Sequence, residues 1–155
     1  MYPLDNLLCM VAKVTKQIED IFWARHSNPK SGWTRVPSGA AIVYALYRRN
    51  WRLLGAALVW TVLNPFLFSP SPTEDAWMTR AVRAERWWFS EKANSTVGFG
   101  YPNICNTAGA FGFVYALYAA CRQLSRGATV GVIVSVGLKL WWLRVLVSQY
   151  DHRNS

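Results

Sequence analysis

Apolar side chains recur at helical spacing near the start of the chain. Leu7, Val11, Val14 and Ile18 stand three or four positions apart, and the charged side chains fall largely between them. This spacing predicts an amphipathic helix over 4–23. Such a helix either lies in a membrane interface or packs on the surface of a partner.

Longer apolar runs follow and predict helices that cross a membrane. The chain has no charged residue between Arg52 and Glu74, and none between Lys92 and Arg122. A soluble core helix seldom stays uncharged for so long, and here it would have to do so twice in 155 residues. The runs predict about four transmembrane helices in two antiparallel hairpins, the first over 33–51 and 53–68, the second over 104–121 and 127–147.

The first predicted span rests on its flanks as well as on its apolar run. The run 36–47 would cover only about 18 Å as a helix, whereas the hydrocarbon layer is about 30 Å thick. Trp33 and Trp51 supply an aromatic anchor at each end, and the neighbouring arginines can reach outward to the head groups. These arginines are Arg35, Arg48 and Arg49.

A second amphipathic segment separates the hairpins. Trp77, Ala81, Ala84 and Trp88 form one stripe, and arginines occupy the opposite face. We therefore predict a second interfacial helix over 76–92. The predicted fold class is an all-α membrane protein, a single helical domain over 1–155.

Composition and charge favour a lipid partner over a nucleic acid. The chain is 52% hydrophobic and 16% charged, carries a formal net charge of +9 and contains nine tryptophans. Cations interleaved with aromatic rings would suit nucleic acid, but here the rings bracket apolar runs and the cations lie just outside them. Anionic lipids of the bilayer are the predicted partner, in either the bacterial or the mitochondrial inner membrane.

The sequence offers no assembled catalytic or metal site. Its two histidines, His26 and His152, are far apart in the chain, and no carboxylate falls inside a predicted span. Cys9, Cys105 and Cys121 lack the spacing of metal ligands. We predict no catalytic residue, no metal, no cofactor and no enzymatic activity.

Three polar residues fall within the predicted spans. Asn64 and Asn106 could hydrogen-bond between helices, which would hold the helices together. Lys139 is the one ionisable group deep enough to raise a functional question. We expect its side chain to extend towards the interface near Trp141 and Trp142.

A dense polar cassette, "ARHSNPKSGWTR" over 24–35, joins the first amphipathic helix to the first span. Asn28, Pro29 and Ser31 have the chemistry of a helix start. The cations suit phosphate or carboxylate groups, but nothing in this interpretation explains His26. The predicted contacts for lipid head groups or a partner are Arg25, His26, Asn28, Lys30, Trp33, Arg35, Arg48 and Arg49.

Three segments resemble a known family. "IEDIFWARHSNPKSGWTR", "NPFLF" and "AWMTRAVRAERWW" are similar to a family of small polytopic membrane proteins, mainly bacterial and archaeal, that is catalogued as a domain of unknown function. The order Arg-His-x-Asn-Pro-x-Ser-x-Trp-Thr-Arg is the most specific part, and the similarity covers 18–88. The resemblance implies residence in a membrane and carries no activity.

Two functional hypotheses follow. The first is a non-catalytic accessory or scaffold subunit of a larger membrane assembly, for example an energy-transducing one, with other membrane subunits as partners. The alternative is a small membrane enzyme or lipid-binding protein that uses the Arg25–Arg35 cassette as a site for an anionic head group. A transporter built from the two hairpins would need a polar path that these spans barely supply.

Overall fold

The computed structural model describes residues 3–71, 75–90 and 95–154, which contain six α-helices and no strand. The helices are α1 (Pro3–His26), α2 (Pro29–Tyr47), α3 (Trp51–Leu67), α4 (Trp77–Ser90), α5 (Asn103–Cys121) and α6 (Ser125–Asn154). An all-helical fold is therefore confirmed.

The elbow between α1 and α2 forms as its sequence predicts. The Asn28 side chain caps α2 and accepts a hydrogen bond of 2.9 Å from the backbone N–H of Lys30. Pro29 follows in the first turn, where a missing N–H costs nothing. Ser31 does not cap α2, because its hydroxyl donates a hydrogen bond to Asn64 of α3.

Two helical hairpins, α2–α3 and α5–α6, have turns that adjoin each other. Each turn contains a left-handed residue, with φ of 51° at Arg49 and 59° at Gln123. The side-chain nitrogen of Gln123 donates to the carbonyl oxygen of Tyr47 over 2.6 Å. The two turns therefore lie at the same end of the molecule.

Small residues bring α5 and α6 close together. A side chain at Gly131 would place its Cβ 2.8 Å from the Cβ of Ala116 and 2.9 Å from the carbonyl oxygen of Gly112. Gly109 similarly faces the backbone of Ser135. We call this contact the small-residue seam; it has the composition of helix pairs in membranes.

The second half of α6 packs differently, against α4. Large side chains fill this contact, and Trp142 and Leu146 are fully buried within it. Arg80 of α4 also forms an ion pair of 3.0 Å with Asp151 of α6. We call this contact the aromatic core.

The prediction of four spans is only partly supported. Among the described residues, two helices are long and apolar enough to cross a membrane, α5 and α6. The apolar α3 has 17 residues and covers only about 26 Å, while the first two turns of α2 are polar and contain Lys30 and Arg35. Two such helices point weakly to membrane association.

Several helices extend beyond their predicted ends. α1 continues past 23 to His26, α2 begins at Pro29 before 33, and α6 runs on past 147 to Asn154. α4 ends at Ser90. The last two positions of the predicted helix 76–92 lie outside the described residues.

Candidate functional site

The cassette does not act as one site, because its residues separate into groups with different partners. Arg25 and Asn28 face the end of α3. Arg25 Nη1 donates to the carbonyl oxygen of Phe66 over 3.0 Å, and Asn28 Nδ2 donates to that of Ser69 over 2.9 Å. Both side chains therefore fasten the elbow to the first hairpin.

A second group joins α2 to α3 through Asn64. The Ser31 hydroxyl donates to Asn64 Oδ1 over 2.7 Å, and Asn64 Nδ2 donates to the Thr34 hydroxyl over 2.8 Å. Ser31 and Asn64 are both fully buried. Asn64 therefore connects α3 to α2 by two hydrogen bonds, which is the kind of contact between helices that the sequence suggested for it.

Other predicted contact residues lie on the surface. Lys30, Arg48 and Arg49 are exposed. Trp33 is 51% exposed and stacks on Trp77 with ring centroids 5.8 Å apart. Asn106 Nδ2 donates to the carbonyl oxygen of Thr96 over 3.0 Å, which ties α5 to the segment before it.

His26 and Arg35, the remaining cassette residues, line a cavity of about 370 Å³ with Glu85 and Lys139. α1, α2, α4 and α6 each contribute one of these four side chains. The other lining residues are mostly apolar, and Gly39, Phe113 and Val136 are among them. We call it the basic cavity.

The Arg35 guanidinium contacts the His26 ring and can donate to one ring nitrogen at a time. Arg35 Nη1 lies 2.7 Å from Nδ1 and 2.6 Å from Nε2 of His26. Only an unprotonated ring nitrogen can accept a hydrogen bond from a guanidinium, so this contact requires a neutral imidazole. Burial, followed by the charges of Arg35 and Lys139, lowers the pKa of His26 from 6.5 to about 4.

Lys139 pairs with a carboxylate inside the fold. Its Nζ lies 3.0 Å from Glu85 Oε1 and 4.2 Å from the ring centroid of Trp142. The Glu85 side chain is only 18% exposed. The Lys139 side chain is 41% exposed, so the ion pair with Glu85 lies at the edge of the fold, and the extension of Lys139 towards a membrane interface stays a prediction.

Positive charge exceeds negative charge in the basic cavity. Among the described lining residues, Arg35 and Lys139 are cations, Glu85 is the carboxylate, and His26 is neutral. Arg35 Nε is buried and has no hydrogen-bond partner among the described residues. The arrangement can accept an anion, since a guanidinium with an unused N–H donor suits an oxygen acceptor.

A family model of unknown function, DUF6653, matches residues 10–154. The chain belongs to this family. The match runs beyond 18–88, the part in which the sequence showed a resemblance, and it covers both hairpins. No curated protein and no solved structure matches the chain.

Sequence reasoning on this DUF6653 chain missed Glu85. A signal was available, because Met78, Val82 and Glu85 recur at helical spacing on the buried side of α4. A carboxylate where the spacing calls for an apolar side chain indicates a buried partner. That partner, Lys139, lies far along the chain, so no local pattern could identify it.

A larger groove in the DUF6653 fold, about 500 Å³, is a weaker candidate for an anion. It runs between α1, α4 and the end of α6, and Trp23, Arg86 and Tyr150 line it. Arg86 already pairs with Asp20 of α1. Arg83, the second cation in the lining, also has an interaction within the protein, so neither arginine of this groove is without a partner.

Proposed function

We propose that this protein is an integral membrane protein that binds an anionic amphiphile in the basic cavity. The observation that carries the proposal is Arg35, a half-buried guanidinium with a neutral histidine as its neighbour and an unused Nε–H donor. An anion at this position would satisfy the donor and compensate the charge. The proposal develops the lipid-binding alternative and includes no catalytic step.

Exposed apolar surface supports a membrane location. Only 28% of the residues in the apolar windows of α5 and of α6 are buried. Phe111, Ile133 and Val62 are each at least 65% exposed, on three different helices. Contiguous apolar surface of this kind is rare on soluble monomers and normal next to lipid.

The proposed topology has four spans, α2, α3, α5 and α6, in the bacterial or mitochondrial inner membrane. The adjoining hairpin turns would then face one side, and the basic cavity would open near the other. Single cysteines at Arg49→Cys and Gln123→Cys, in a chain whose three native cysteines are replaced, should react with an impermeant maleimide from the same side. Labelling from opposite sides would overturn this topology.

The anion site can be tested with one charge-neutralising variant. Arg35→Gln should lower the affinity for an anionic amphiphile at least tenfold, since a charge-assisted hydrogen bond contributes about 1.5–3 kcal/mol. The measurement is binding to the purified full chain in a neutral detergent. The probes are oleate and phosphatidylglycerol, with oleyl alcohol as the uncharged comparison.

The control is Arg126→Gln, which removes an exposed arginine near the start of α6, at the end of the molecule where the hairpin turns lie. This control variant should leave the affinities for oleate and for phosphatidylglycerol unchanged. Equal loss in the two variants would mean that general surface charge, and not the cavity, attracts the ligand. Equal binding of oleate and oleyl alcohol to the unmodified protein would also overturn the proposal.

The accessory-subunit hypothesis stays a second proposal. Exposed apolar residues along α1, including Leu7, Val11 and Ile18, favour it, because they leave one face of this helix available to another subunit. Purification from the native membrane in mild detergent tests it. Recovery of the chain alone would count against a subunit role.

A further inference from the structure

We infer that the ligand of the basic cavity is a carboxylate-headed amphiphile, such as a long-chain fatty acid anion, which displaces Glu85 from Lys139. This inference rests on the proposed function and specifies both the head group and the way it enters. Glu85 is then a built-in competitor that occupies part of the site when no ligand is bound.

The position of Glu85 shows which head group the cavity can hold. Its carboxylate lies 3.0 Å from Lys139 Nζ and belongs to the same lining as Arg35. A ligand carboxylate has the same planar shape and the same two oxygens, so it can take the place of the Glu85 group on Lys139 when the Glu85 side chain turns away. A phosphate group is tetrahedral and larger, and nothing of that shape already sits there.

The charge of the site also fits a single carboxylate. With one monoanion bound, the cations Arg35 and Lys139 are balanced by the ligand and Glu85 together. The planar guanidinium of Arg35 can then use its Nε–H towards a carboxylate oxygen, which is the fork geometry that arginine offers. A dianionic head group would leave a negative excess in a half-buried site.

The shape of the cavity accommodates a chain behind the head group. Gly39 follows Arg35 by about one helical turn on α2, and Ser135 precedes Lys139 by about one turn on α6, so both lie nearer the hairpin turns than the two cations do. Phe113 of α5 also lines this part of the cavity. A carboxylate at the cations would therefore direct its hydrocarbon chain between the two hairpins, which suits a lipid-facing protein.

Glu85→Gln tests the exchange, because it removes the competing charge and keeps the size of the side chain. We expect about tenfold tighter binding of oleate to the full chain in neutral detergent. Lys139→Gln should weaken binding by a similar factor. Glu85→Asp withdraws the carboxylate by one methylene and should tighten binding less, which provides a second measurement if Glu85→Gln folds poorly.

The control is Glu19→Gln, which removes an exposed carboxylate on α1 and should leave oleate binding unchanged. The unmodified protein should prefer oleate to phosphatidylglycerol by about tenfold and should not bind methyl oleate.

The possible failures separate the two proposals. If Arg35→Gln abolishes binding but Glu85→Gln weakens it or leaves it unchanged, the exchange is wrong and the anion site remains. If phosphatidylglycerol binds more tightly than oleate, the head group is wrong. If Arg35→Gln has no effect on any anionic probe, the proposed function itself fails.

Discussion

The two halves of α6 are packed by opposite means although they belong to one continuous helix. Its first half meets α5 along the small-residue seam, where Gly131 and Ala116 let the backbones approach. Its second half meets α4 in the aromatic core, where Trp142 and Leu146 are fully buried. The difference is one of side-chain size, and the proposed membrane topology gives a reason for it.

Helices in apolar surroundings associate through close contact of their backbones. In lipid, burying a leucine gains little, so packing and small residues hold helices together. Where water is near, burial of large apolar side chains is the main stabilising term. The comparison supports an α6 that passes from the membrane interior to its surface, with the basic cavity between the two contacts.

Removal of Trp142 should have the largest effect on stability. Trp142→Ala should lower the free energy of unfolding by about 3–5 kcal/mol, because a fully buried ring is lost and a cavity remains. Trp142 also donates to Asn103 Oδ1 over 3.3 Å and lies beneath the Lys139 ammonium. Denaturant titration of the two proteins in detergent measures this difference in the free energy of unfolding.

Hydrogen exchange sharpens this test. If the two contacts are separate, the amides of α4 should lose protection in Trp142→Ala while those of α5 keep theirs. The neighbouring Trp141 is 52% exposed, so Trp141→Ala should cost less than about 1 kcal/mol. Equal losses in the two variants would contradict a distinct aromatic core.

A bulky residue in the small-residue seam should produce the next largest effect. Gly131→Leu would force side-chain atoms into the backbone of α5, and overpacking of this kind costs about 1–3 kcal/mol. In Gly131→Leu the backbone amides of α5 should lose protection from hydrogen exchange before those of α4. The measurement is the same titration with hydrogen exchange.

Gly137 supplies the control on the same helix. A Cβ added at Gly137 would meet nothing within 4 Å, so Gly137→Leu should not destabilise the fold. A destabilisation equal to that of Gly131→Leu would show that glycine itself, and not close packing, is needed in α6.

Sequence patterns predicted what depends on neighbours along the chain. The spacing of apolar residues predicted amphipathic α1, and Asn28 with Pro29 predicted the start of α2. The end of α6 was missed because the apolar run stops at 147, while Tyr150 packs against the aromatic core and Asp151 pairs with Arg80 of α4 beyond it. Length of an apolar run is a poor guide once tertiary contacts take over.

The basic cavity was beyond sequence reasoning for a related reason. His26 stood out because no local role explained it, and Arg35 was expected to reach outward to head groups. The pairing of Lys139 with Glu85 joins positions on two helices far apart in sequence. A charge on an apolar stripe indicates a partner, but only the fold identifies which one.

Protonation of His26, which lines the basic cavity, should change the free energy of unfolding less than the substitutions above. Burial and the nearby cations lower its pKa from 6.5 to about 4, and Glu85 is the carboxylate that faces the same cavity. Between these pH values the unfolded chain binds more protons than the folded one. Stability therefore rises with pH over this range and falls as pH drops from about 6.5 to about 4.

The variant His26→Gln should lose this part of the pH dependence, because it removes the group that the fold keeps neutral. The measurement compares the free energy of unfolding at pH 7 and at pH 4.5, so that carboxylates common to both proteins cancel in the difference. An unchanged slope in His26→Gln would mean that the fold does not keep the ring neutral, and the hydrogen bond assigned from Arg35 to His26 would then be wrong.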